Sequence, residues 1–305
     1  MAGVPRMSAL QRFFWTHSIT STEGCFGPRY LNLIPKREGG PVEFLGVDAA
    51  RTRTRVATTL PRWAARGDGA APLGALLAIL DQCSTFGGTV ELHRRGKAGF
   101  SVFLGGDVAG GAGPPLEADA PLVVETRLLK LGSTLGFVDC DVRRRDTGAV
   151  LVRALHQKHF DLPLHHEALV HSPLRHVALP LLQRIGDARP VTRYAGDDVP
   201  DVAALFPVAP DGAMAVEARH CNGIGGLHGG AACCLAEVAA AAAAPVGAGP
   251  ATSMRVTLMR ALRAGATARC DVTWPAPGTA RVRVADAASG APCVDATVGF
   301  SRAAP

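Results

Sequence analysis

His220-Cys221-Asn222-Gly223-Ile224-Gly225-Gly226-Leu227-His228-Gly229-Gly230 leads directly into an apolar run, Ala231 to Ala244, that stops at Pro245 and Gly247. The run is expected to be a helix over about 229–244, ended by the proline and glycine. Glycines at its entrance let a ligand come close to the backbone. The unpaired N–H groups there, at the positive end of the helix dipole, suit a carbonyl oxygen that gains negative charge. On pattern alone, the same residues also describe a simple glycine-rich turn with His228 near the cap.

Strands follow this helix. Ala268, Cys270, Val272 and Trp274 alternate with Arg269, Asp271 and Thr273. Val282 and Val284 alternate with Arg281 and Arg283, and Val294, Ala296, Val298 and Phe300 with Cys293, Asp295, Thr297 and Gly299. One buried and one wet face is the mark of an antiparallel sheet. The same order occurs earlier in the chain: a helix from Pro72 through Leu73, Leu76, Leu77 and Leu80 to Gly87-Gly88, then strands over Phe100 to Val108, Leu122 to Leu131, Thr134 to Arg143 and Val150 to Phe160. Shorter strands are expected before each helix, over Leu31 to Ile34, Arg53 to Leu60, Ala204 to Val208 and Ala213 to Arg219. A helix that is apolar nearly all round must be wrapped by its sheet, so each stretch is an α+β unit and the chain reads as an internal duplication. The expected limits are an arm over 1–28, a first repeat over 29–162, a His- and Pro-rich linker over 163–200 and a second repeat over 201–303.

Composition narrows the functional classes. The chain has 305 residues, 48% hydrophobic and 19% charged, enough for two modest cores. The longest apolar run is interrupted by Glu237, which excludes a membrane-spanning helix there. A net charge of +6 is compatible with an anionic partner, but the basic residues are dispersed and lack interleaved aromatics, which argues against nucleic acid. Eight scattered cysteines without a CxxC pair indicate a reducing compartment and no structural zinc. His165, His166, His171 and His176 lack convergent Cys or acid spacing and are read as linker residues, not metal ligands. Cytoplasmic location is expected. The first 22 residues, acid-free with Arg6, Arg12 and a hydroxyl-rich end, also fit a mitochondrial presequence, although bulky Phe13, Phe14 and Trp15 favour an arm that docks.

Asn222 followed by five residues and His228-Gly229-Gly230, then an apolar helix, resembles the hotdog-fold acyl-CoA thioesterases of the phenylacetate-pathway type. The strands after the first helix resemble the same family, through Gly99-Phe100-Ser101-Val102, the segment Val123 to Val138, Thr147-Gly148 and His156-Gln157-Lys158-His159. The resemblance covers about Leu31 to Phe160 and Val202 to Ser301. It implies a pseudo-dimeric double hotdog, in which two long central helices pack inside one continuous antiparallel sheet. It further implies hydrolysis of acyl-CoA thioesters to free acid and coenzyme A, with no cofactor beyond the substrate and with assembly into a homodimer of double hotdogs.

In that family an acid near the middle of the helix acts as general base or nucleophile; the matching positions are Asp81 and, nine residues after His228, Glu237. Nine residues place Glu237 about 13 Å from His228 along one axis, so one helix cannot supply both groups to one carbonyl. The family pairs the entrance of one helix with the middle of another. One composite site then retains its parts: Asn222, His228, Gly229 and Gly230 with Asp81 and Ser101. The other combines Pro72, Leu73 and Glu237 and has lost its glycine donors. In the first, Gly229 and Gly230 N–H groups would polarise the carbonyl, Asn222 would position it or the water, Asp81 would activate water or attack, and Ser101 would hold water or carboxylate in line. Arg127, Lys130, Arg143, Arg144, Lys158 and His159 become candidate contacts for the phosphates of coenzyme A. Ser133 departs from the family, where a basic residue often precedes the threonine. Two other readings stand: a hotdog hydratase or dehydratase, which would want a His and Asp pair that the sequence does not display, and a non-catalytic acyl-CoA-binding protein.

Overall fold

The computed structural model describes residues 26–34, 36, 40–65, 71–85, 99–110, 116–160, 177, 195–223, 225–246 and 248–302. Most of the expected arm and linker, with His165, His166, His171 and His176, lies outside the described residues. No helix among those described is long and apolar enough to cross a membrane.

Short helix α1 (Phe26–Tyr30) precedes strands β1 (Glu43–Val47) and β2 (Arg53–Thr59), then helix α2 (Leu73–Gln82). Strands β3 (Phe100–Val108), β4 (Pro121–Leu131), β5 (Leu135–Arg144) and β6 (Val150–His159) follow. The second stretch comprises α3 (Val202–Leu205), β7 (Ala213–Ala215), α4 (Gly229–Ala242), β8 (Ala248–Leu258), β9 (Thr267–Ala276), β10 (Thr279–Asp286) and β11 (Pro292–Arg302). Among the described residues these strands join one antiparallel sheet of 11, in the order β1-β2-β4-β5-β6-β3-β8-β11-β10-β9-β7. On either side of the central β3–β8 pair the strands run in the same relative order, and α2 and α4 lie against each other over the buried face. The turns before β6 and β11 also match. Gly148 N–H donates to Arg144 O (3.0 Å) as Gly290 N–H does to Asp286 O (2.8 Å). Ala149 N–H donates to Thr147 Oγ1 (3.3 Å) as Ala291 N–H does to Ser289 Oγ (3.4 Å). Both turn glycines have positive φ, 73° and 69°.

Every residue of α2 is buried, and so is α4 from Gly230 to Ala240. Helices this deep can touch along their axes only where side chains are small. A Cβ added to Gly230 would lie 2.4 Å from Ala78 Cα, and one on Gly74 would lie 2.9 Å from the Cys233 and Cys234 backbones. The start of each helix therefore rests on the middle of the other.

Three short elements differ from expectation. Leu31 to Ile34 form no strand. Ala204 to Val208 do not either: Asp201 caps a helical turn over Val202–Leu205, its Oδ1 accepting from Ala204 N–H at 2.8 Å, and this capping signal outweighs the apolar run. The strand expected over Ala213 to Arg219 ends at Ala215 and gives way to a 3₁₀ turn, Ala218–His220.

One irregularity aims a side chain. Ser101 pairs with Lys158 and Phe103 with Gln157, so β3 spends two residues against one step of β6. This bulge puts Ser101 on the same buried face as Leu104, which the pleat would otherwise forbid at a spacing of three.

The helix contact is testable at a position away from the site residues. Gly74→Ala adds a methyl group with no room between backbones, and we expect a net loss of about 1–3 kcal/mol despite alanine's better helix propensity. In thermal unfolding the midpoint falls; an unchanged or higher midpoint contradicts the close approach.

Candidate active site

Asp81 sits near the end of α2, 3% exposed, facing β3, β6 and the start of α4. Ser101 Oγ donates to its Oδ1 at 2.6 Å and Lys158 Nζ donates to the same oxygen at 3.2 Å. The Gly230 amide of α4 donates to Oδ2 at 2.9 Å. Ser101 has one proton, given to Asp81, so its oxygen accepts from Lys158 Nζ (2.8 Å) and His156 Nε2 (3.0 Å). That leaves His156 Nδ1 as the acceptor for Ser84 Oγ at 2.7 Å. Ser84 belongs to a widened turn, Cys83–Thr85, that continues α2, and its hydroxyl and that of Thr85 both lie against the Asp81 carbonyl.

His228 caps α4. Its Nδ1 accepts from Gly230 N–H at 3.0 Å, which places the ring proton on Nε2, where it donates to Gln82 Oε1 at 2.8 Å. Phe26 of α1 packs on this imidazole with ring centroids 5.5 Å apart. Gly230 N–H is thus shared between Asp81 and His228. It is not available to a substrate carbonyl, which corrects the expectation that Gly229 and Gly230 both donate there. Gly229 differs: among the described residues its N–H has no hydrogen-bond partner, and a Cβ at this position would lie 2.7 Å from Asp81 Oδ2 and 3.1 Å from Ser101 Cβ. The Gly229 backbone, the Asp81 carboxylate and the Ser101 side chain therefore meet closely.

The electrostatics follow from burial. Loss of water would raise the Asp81 carboxyl, but Lys158, His228, His156 and the Ser101 hydroxyl together outweigh that and hold it well below the usual carboxylate range. Burial, then the neighbouring Lys158 charge, pushes His156 down to about 3 against the pull of Asp81. His228 is lowered too, by burial first. Both rings are neutral at neutral pH, and among the described residues Lys158 is the only lysine or arginine paired with Asp81.

At the other end of the helix pair, Glu237 is 2% exposed and its Oε2 accepts from Gly74 N–H at 2.6 Å. The arrangement of Asp81 on Gly230 is repeated in reverse.

The structure brings Asp81, Ser101, His228, Gly229 and Gly230 together. Asn222 holds the turn before them, its Oδ1 accepting from Gly226 N–H at 3.2 Å and its N–H donating to Gly226 O at 2.7 Å. Lys158, a candidate phosphate contact in the sequence, is instead 2% exposed with its ammonium on Asp81, because residue 158 shares the inward face of β6 with Val152, Ala154 and His156. Arg127 is paired with Asp139, Arg143 with Asp141 and Glu125, and Arg144 with Asp146. Lys130 is exposed and His159 half-buried. His156, Gln82 and Ser84 escaped the sequence reading. The signal for His156 was its alternation with buried Val152 and Ala154; Gln82 and Ser84 carried none beyond adjacency to Asp81. The fold also makes the His and Asp pairs that the sequence did not display: His156 Nε2 lies 3.3 Å and His228 Nδ1 3.4 Å from Asp81.

No protein-family model and no curated protein sequence matches the chain. Among solved structures, it is similar to an acyl-ACP thioesterase from Bacteroides thetaiotaomicron, with 10% identity, a TM-score of 0.54 and coverage of 84% of this chain and 100% of that one. It is also similar to the 12:0-ACP thioesterase from Umbellularia californica, with 12% identity, a TM-score of 0.51 and coverage of 84% and 99%. At these identities the likeness is one of fold, shared with these two structures over most of the chain's length.

The neutral buried His156 has a consequence for stability. Below the ordinary value of 6.5 the unfolded chain binds a proton that the folded ring refuses until about pH 3. Its contribution is complete above pH 6.5 and declines as pH falls toward 3, by up to about 1.4 kcal/mol per unit. We expect His156→Gln to lose less stability between neutral and mildly acidic pH than wild type in urea unfolding. An equal decline contradicts the assignment.

Proposed function

We propose that this chain is an acyl-thioester hydrolase built as a tandem double hotdog, acting on acyl-CoA at one composite site formed between its two repeats. The observation that carries the proposal is the delivery of Asp81, with Ser101 on one oxygen, to the entrance of α4, where Gly230 N–H is 2.9 Å from the other oxygen. The fold shared with two acyl-ACP thioesterases supports the reaction class.

In this reading the Gly229 N–H polarises the thioester carbonyl and stabilises the oxyanion, at the positive end of the α4 dipole. Water adds to the carbonyl carbon and gives up a proton to Asp81, or Asp81 attacks first and water then opens the resulting anhydride. Either way the C–S bond breaks and the thiolate leaves, taking up a proton as the thiol. Ser101 aligns the carboxylate, and Asn222 holds the glycine turn so that the amide points outward. Lys130 and His159 are retained as phosphate contacts. His159 lies at the Ser101 end of β6, where it pairs with Phe100 and Leu135, and Lys130 of β4 pairs with Phe137 of β5. Arg127, Arg143 and Arg144 are already neutralised by acids. Assembly as a homodimer of double hotdogs belongs to the same proposal.

A dehydratase needs an imidazole free to move a proton at substrate. Both nitrogens of His156 and of His228 are engaged with protein groups, which disfavours that reading in spite of their closeness to Asp81.

Thiol release from a panel of acyl-CoAs tests the proposal. We expect Asp81→Asn to lose about 10²–10⁴-fold in turnover. Glu237→Gln is expected to keep most of it. Equal losses contradict a single working site, and absence of release from every acyl-CoA by wild type favours a binding protein.

A further inference from the structure

We infer that Lys158 is a positioning residue of the proposed hydrolase: it supplies the counter-charge that keeps the buried Asp81 carboxylate anionic, and it fixes which oxygen faces Ser101 and which faces the α4 entrance. The inference rests on the hydrolase reading for its catalytic meaning, whereas the pairing itself stands on geometry.

A carboxylate taken out of water is costly unless it is both paired and hydrogen-bonded. Titratable groups face Asp81 from each element packed on it: Lys158 and His156 from β6, His228 and Cys233 from α4, and Cys83 from its own chain segment. Burial raises both thiols, which stay neutral, and lowers both imidazoles. Burial lowers Lys158 as well, with the Asp81 carboxylate and its hydrogen bond pulling the other way. It is the one group in this set that is ordinarily a cation at neutral pH, and its ammonium is placed directly against the carboxylate. Its side chain is 2% exposed and that of Asp81 4%, so solvent does little to screen the pair. The ammonium bridges Asp81 Oδ1 at 3.2 Å and Ser101 Oγ at 2.8 Å. That bridge holds the serine proton on Oδ1 and leaves Oδ2 to Gly230.

The opposite pole of the fold provides an internal contrast. On β11, Val294, Ala296, Val298 and Phe300 occupy the places that Val152, Ala154, His156 and Lys158 take on β6, counting from the matched turns at Gly290 and Gly148. Glu237 meets the same helix entrance without a lysine from its strand, and that pole is the one lacking the glycine pair.

The test uses the full chain, as wild type, Lys158→Met, Asp81→Asn and the double variant. Two readouts are taken: thermal unfolding, and the pH profile of kcat and KM for acyl-CoA cleavage. We expect the double variant to be more stable than Lys158→Met alone, because Asp81→Asn removes the charge that the methionine leaves unpaired. In Lys158→Met the acid limb of the kcat profile should move up by at least about one pH unit, a tenfold change in the proton equilibrium, with KM near the wild-type value. A double variant no more stable than Lys158→Met overturns the inference, as does an acid limb that stays in place while the rate merely falls. Should Lys158→Met fail to fold, recovery of folding in the double variant supports the pairing and continued failure refutes it. If wild type cleaves no acyl-CoA, the hydrolase reading fails, while the stability comparison still decides whether Lys158 balances Asp81.

Discussion

Two buried helices each end a turn of the other's hydrogen-bond accounting. Asp81 of α2 accepts from Gly230 at the start of α4, and Glu237 of α4 accepts from Gly74 at the start of α2. A helix start carries amides without intrahelical partners and the positive end of a dipole, and both features favour a carboxylate. Burial makes the need acute, since Gly74 and Gly230 both lie in the core. Reciprocal capping sets the register of the pair, and the register in turn requires glycine at 74 and 230, where any side chain would strike backbone. The strands wrap this pair, and the β3–β8 seam joins them into one sheet.

The same device has different chemical surroundings at its two ends. Around Asp81 the strands contribute Ser101, His156 and Lys158, so the capping carboxylate is also held by a hydroxyl and an ammonium. Around Glu237 the corresponding strand contributes Val298 and Phe300. A carboxylate is therefore kept at the helix entrance at both ends, while a hydroxyl and an ammonium stand beside it at one. At that end the Gly230 amide is taken by the cap, and among the described residues the Gly229 amide is not.

The elements with long, clean periodicity were legible in the sequence. The alternation along β9, β10 and β11 and the continuous apolar runs of α2 and α4 each allow one solution. Short elements were not, because local capping decided them: Asp201 turned an apolar run into a helical turn. For the site, Asp81, Ser101 and His228 could be named from spacing and family resemblance. What the sequence hid was competition for a donor. Nothing in the pair Gly229-Gly230 says that one amide is consumed by a carboxylate 149 positions away. Lys158 reads in the sequence as one more basic residue for phosphate; the β3 bulge and the inward register of β6 put it beside Ser101 instead.

The most direct test of reciprocal capping is the amide proton spectrum of glycine-labelled protein. An N–H that donates to a carboxylate is strongly deshielded, so the Gly230 signal should move upfield in Asp81→Asn while that of Gly74 stays in place, and the reverse should hold for Glu237→Gln. A Gly230 resonance indifferent to Asp81→Asn would contradict the account.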